Sequence, residues 1–172
     1  MSSSQGSLTP PPVTPEPGWH AFMPFPELVS RESFVQGGES THRLRLAYFK
    51  RDSDDHLVGR AWFGPETQGP PGHAHGGAMS AVMDETLGAA AWAAGHKVVV
   101  ARLTVDFRLM VELGTDATFE TWVERVDGRK VLTRGRLISP AGDLLAEGHA
   151  VCVMLRDEHF EKFVAARARK AE

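Results

Sequence analysis

The sequence predicts an α+β domain in which an antiparallel sheet wraps around one long central helix. Two observations carry this. A nearly continuous apolar segment follows His75 and runs to Ala94, too long for a strand and rich in Ala and Met, which favour helix. On both sides of it the apolar residues change to a period of two, with short turns between runs, the pattern of antiparallel strands. Two strands, one helix and four more strands make a single core.

In order, residues Met1 to Pro17 are rich in Ser and Pro and poor in large apolar groups, which predicts a disordered tail. Gly18 to Leu28 carries Trp19, Phe22, Met23, Phe25 and Leu28, broken by Pro24 and Pro26, and reads as irregular structure or a short helix. Thr41 to Lys50 and Leu57 to Phe63 form a hairpin around the polar turn Arg51 to Asp55. Gly64, Pro65, Gly69, Pro70, Pro71 and Gly72 then stiffen a loop. The helix spans Gly76 to Ala94, with Gly95 as its stop. Val98 to Leu109, Ala117 to Val126, Lys130 to Ile138 and Leu144 to Leu155 are the remaining strands. Residues 18–156 form the domain, and 157–172 a charged tail or short exposed helix.

Composition narrows the function. The 172 residues carry a formal charge of -3 with a pI near 6.2, which argues against nucleic-acid binding through a basic face. No run approaches the roughly 20 apolar residues of a membrane span, and no signal or transit peptide pattern opens the chain. A cytoplasmic protein is the expectation. The single cysteine, Cys152, lies in an alternating apolar run and reads as a buried thiol.

The chemistry concentrates in Gly69 to Gly88, GPPGHAHGGAMSAVMDETLG. A helix start leaves backbone N–H groups unpaired at the positive end of the dipole, and Gly76 and Gly77 let a substrate approach them. That describes a site for a polarised carbonyl or oxyanion, with His75 beside it. Asp84 and Glu85 are the helix's only charges. Asp84 lies seven residues beyond Gly77 on about the same face, where a carboxylate can act as base or nucleophile. Glu85 is turned about 100° away and is assigned to structure. Seven residues are about 10 Å of helix, too far for Asp84 to reach a carbonyl held at its own helix start. One substrate served by both features requires a second, antiparallel helix and a shared site. His73 and His75 form an His-x-His pair, but in a Gly/Pro loop with no third ligand at an obvious offset, so no metal is assigned. No cofactor is assigned either.

The same stretch, with the VDGRK turn, resembles the hotdog-fold acyl-CoA thioesterases of the PaaI type, and its entry loop is especially similar to the thioesterase-superfamily-member branch. The likeness covers roughly Thr41 to Leu155. It implies a hotdog fold, a homodimer or homotetramer, and hydrolysis of an acyl-CoA to acid and CoA. By that likeness Gly76 and Gly77 offer N–H groups to the thioester oxygen, His75 shapes the pocket, and Asp84 of the other subunit activates water or attacks. Gln68, His73 and Thr104 become substrate-side candidates, and Gly128, Arg129 and Lys130 lie near the CoA arm, where positive groups suit phosphate. One departure stands out: the early strand position that is Ser or Thr in many relatives is Val100 here, with Thr104 the strand's first hydroxyl. This keeps open a non-catalytic acyl-CoA binding protein, and behind it a hotdog dehydratase. Met79, Met83 and Trp92 are candidates to line an acyl pocket, although their helical spacing suits the core.

Overall fold

The computed structural model describes residues 8–26, 34–35 and 42–168. Its strands are β1 (Trp19–Ala21), β2 (Leu44–Arg51), β3 (Leu57–Phe63), β4 (Val98–Phe107), β5 (Asp116–Asp127), β6 (Lys130–Ile138) and β7 (Leu144–Met154). Its helices are α1 (Gly76–Ala93) and α2 (Asp157–Ala168). The strands make one antiparallel sheet in the order β1-β2-β3-β5-β6-β7-β4, curled around α1. This is the hotdog fold.

Alternation decides what faces the helix. In β2, Leu44, Leu46 and Tyr48 turn inward, as their spacing predicts, and β3 adds Leu57, Ala61 and Phe63. From α1, Met79, Val82, Met83 and Leu87 fill the concave side. The approach is close because Gly135 and Gly148 pair across β6 and β7. A Cβ on Gly135 would stand 3.2 Å from Leu87 Cδ2, and one on Gly148 only 2.9 Å from Met83 Cε. Met79 and Met83 are therefore core residues.

Three regions differ from expectation. Trp19–Ala21 is neither irregular nor helical but a strand paired with β2; Leu28 lies outside the described residues. Residues 1–7 of the Ser/Pro-rich stretch also lie outside them, whereas 8–17 run across the outer face of the sheet. There Arg45 donates to the Pro11 carbonyl at 2.8 Å and Arg60 to Glu16 at 3.0 Å. Finally, α2 is not simply exposed: Phe160 packs 6.2 Å from Trp92, and Lys97 sits 4.2 Å above the Phe160 ring. Trp92 consequently closes the far end of α1, its Nε1 donating to Val98 O at 3.0 Å, with Phe25 on its other side.

Candidate active site

The loop into α1 is held from both sides. His75 N–H donates to Thr67 O (2.7 Å), and Ala74 N–H donates to Val111 O (2.8 Å). The peptide of His75 is thus fixed between the 64–68 turn and the segment that follows β4. Gly69 must lack a side chain, because a Cβ there would stand 2.8 Å from His75 Cα. His73 turns away, Nδ1 meeting Pro71 O at 2.9 Å, so the two loop histidines share no ligand point. Gln68 is exposed and bridges Ala74 through its backbone.

His75 is the N-cap of α1. Its Nδ1 accepts the Gly77 N–H at 2.8 Å, which places the ring hydrogen of a neutral imidazole on Nε2. The bond also redistributes the amides. Ala78 and Met79 N–H point to His75 O, and Gly77 is taken by the ring. Among the described residues nothing accepts the Gly76 N–H. Of the Gly pair, Gly76 alone offers a free donor at the positive end of the helix. Its chain neighbours His75 and Gly77, with Phe34, Arg43, Gln68 and Ala78, line a cavity of about 550 Å³, to which Gly76 itself does not contribute.

Asp84 is not sealed in the core; it is exposed in the single chain. The helix reads as apolar all round because two of its sides meet the sheet, while Gly77, Ala81, Asp84 and Gly88 share a third. That side looks toward β4: a Cβ on Gly88 would touch Val100 Cγ2 at 3.4 Å, and Val100 pairs with Cys152. Partial burial against this wall pushes the Asp84 carboxyl above its ordinary value, and no described residue donates to it or pairs with it. Cys152 is fully buried; burial raises its thiol, opposed by the hydrogen bond with Thr133, and the nearby charge of Asp84 raises it further.

Two other predicted groups stand apart. Thr104 is exposed, and its neighbours Leu103 and Val105 are the ones that pack on the core, so it lies on the outer face, away from α1. The turn at Gly128 (φ 55) is exposed; Arg129 donates to Met154 O at 2.9 Å and Lys130 begins β6.

A charged cluster that sequence spacing does not reveal lies on the outer face. Glu120 is buried, with Arg136 Nε 2.7 Å from one oxygen, and both His56 Nδ1, at 3.1 Å, and Arg51 on the other. Asp54, His56 and Glu120 are spaced closely enough to hold a metal ion. Arg51 and Arg136 already neutralise them, so the arrangement is an ion-pair network. Its members come from positions 51, 54, 56, 120 and 136, and no local motif could announce it.

Comparison with known proteins now bears on this geometry. The thioesterase superfamily model matches residues 71–146, the stretch holding the loop, α1 and most of the following sheet. These residues are similar to the thioesterase superfamily. Acyl-coenzyme A thioesterase THEM4 of Xenopus laevis is 38% identical over 82 residues, covering 48% of this chain and 37% of its own. Acyl-coenzyme A thioesterase THEM5 of Mus musculus is 35% identical over 68 residues, covering 40% and 27%. The chain therefore spans less than half the length of these relatives. A solved thioesterase superfamily protein is 28% identical with a TM-score of 0.56, over 63% of this chain and 53% of that one. The Escherichia coli PaaI structure, at 15% identity and a TM-score of 0.56 over 59% and 73%, shares the fold. No described helix of the domain is long and apolar enough to cross a membrane.

Proposed function

We propose that the domain hydrolyses acyl-CoA thioesters at sites shared between two copies. The observation that carries this is the pairing, on one helix, of a free Gly76 N–H at the start with an unpartnered, desolvated Asp84 farther along. The relatives named as acyl-coenzyme A thioesterases supply the substrate class.

The thioester oxygen accepts the Gly76 N–H, which, with the helix dipole, stabilises the charge that develops there. Asp84 of the second copy takes a proton from water as its oxygen bonds to the acyl carbon. The tetrahedral intermediate then expels the CoA sulfur, which takes from Asp84 the proton that came from water. If Asp84 attacks directly, an anhydride forms instead and water cleaves it; both routes need the charged carboxylate. Raising its basicity by partial burial serves either. His75 lines the neighbouring cavity, and Lys130 and Arg129 suit the phosphates of the CoA arm. The second copy joins through β4, an edge strand of ten residues whose outer side has no partner strand among those described. Val99, Phe107, Leu109 and Met110 are exposed along it and just beyond.

Val100 favours one alternative, acyl-CoA binding without turnover, because the wall beside Asp84 offers an apolar group there. Release of CoA from a panel of acyl-CoAs, aromatic ones included, separates the two. Turnover that falls at least roughly 100-fold in Asp84→Asn supports hydrolysis. Binding with no CoA release by the wild type supports the sensor.

A further inference from the structure

Ser80 stands four residues before Asp84, so the two Cβ atoms lie about 5–6 Å apart on adjacent turns of one side of α1. A hydroxyl inside a helix ordinarily turns back onto the carbonyl four residues earlier. Thr86 does this, donating to Val82 O at 2.8 Å. Ser80 is half-buried and does not: among the described residues its hydroxyl has no partner. The rest of the surroundings of Asp84 supply nothing equivalent. Val100 is apolar, and Cys152, whose thiol feels the charge of Asp84, is buried and paired with Thr133 at 4.0 Å.

We infer that Ser80 is a positioning residue for the hydrolytic water, an inference that rests on the thioesterase reading above. With substrate and water in place its O–H turns to one oxygen of Asp84, and its lone pair accepts the water's second hydrogen. The water's first hydrogen then points at the other Asp84 oxygen and its lone pair at the acyl carbon. Ser80 keeps its own proton throughout; the transferred proton moves from water to Asp84 and on to the leaving sulfur. No other residue of α1 combines this placement with an uncommitted hydroxyl.

Ser80→Ala tests it, and Ala, the better helix former, keeps α1 intact. The expected result is a fall in kcat of about tenfold, the equivalent of one hydrogen bond, with KM within about twofold of wild type. The acidic limb of the kcat profile also moves to higher pH, because a donor to the charged Asp84 is lost from the substrate complex. Wild-type kcat and an unmoved limb in Ser80→Ala, beside an inactive Asp84→Asn, overturn the role of Ser80 and leave the thioesterase reading standing. A kcat loss accompanied by a matching fall in melting temperature overturns it as well. A wild type that releases no CoA from any acyl-CoA overturns the thioesterase reading and this inference with it.

Discussion

Asp84 and Glu120 are two carboxylates of one domain, each partly withdrawn from water, with opposite fates. Burial would push both up. At Glu120 the hydrogen bonds from His56, Arg51 and Arg136 outweigh burial and hold the carboxyl below its usual range. At Asp84 nothing outweighs it, and the carboxyl stays high. A buried charge with its partners in place is part of the framework; a partly withdrawn but accessible one without them is open to something outside the chain. On the proposed reading, that difference is what separates a structural carboxylate from a reactive one.

The largest test of that contrast is activity in the two neutralised variants. Asp84→Asn should lose at least about 100-fold in CoA release, while Glu120→Gln should retain wild-type kcat per folded molecule. Comparable losses in both would erase the distinction. Stability should reverse the order: Glu120→Gln removes the charge that Arg51 and Arg136 share and should cost about 2 kcal/mol in urea unfolding. The sign with pH follows from the lowered carboxyl. The contribution of Glu120 is present above its unfolded value and is lost as pH falls through the folded one, so the deficit of the variant should shrink on acidification.

The helix start sharpens the comparison from the other side. A Cβ on Gly76 would sit 3.5 Å from the Phe107 ring, an ordinary contact, so Gly76→Ala should fold normally yet lose about tenfold in activity by crowding the free N–H. A Cβ on Gly77 would meet His75 Nδ1 at 2.8 Å and break the cap, so Gly77→Ala should lower stability by about 1 kcal/mol. Melting curves and CoA release on the same samples distinguish them. The smallest effect is a gain. Because the Asp84 carboxyl is raised in the fold, the folded state binds the proton more readily, and its charge opposes folding above the unfolded value. Asp84→Asn should therefore melt slightly higher than wild type at neutral pH and lose that advantage in acid.

The β-strands were legible because alternation is local: Leu57–Phe63 and Lys130–Ile138 fall where the period of two places them. The helix was legible from length and composition, and its stop from Gly95, which adopts φ 87. Trp19–Ala21 was not, since three residues after a proline-rich stretch become a strand only by pairing with the edge of β2. Within the candidate site, the residue types could be named but their commitments could not. Whether His75 caps Gly77 or leaves it free depends on how Gly69 and the Thr67 carbonyl seat the His75 peptide, not on the His-Gly-Gly string. The exposure of Asp84 depends on which side of α1 the sheet leaves open. Glu120 was invisible for a different reason: its partners Arg51 and His56 are 69 and 64 positions away.

The central claim is that the two halves of the site come from different copies, and complementation tests it most directly. Asp84→Asn and Gly76→Ala, each with its single defect, are unfolded together, refolded as a mixture and assayed for CoA release. If sites are shared, each mixed dimer carries one site with both defects and one with neither. Equal mixing should then restore about a quarter of wild-type activity. Activity no higher than the average of the two parents, in a sample where mixed dimers are verified by differential tagging, would contradict the account.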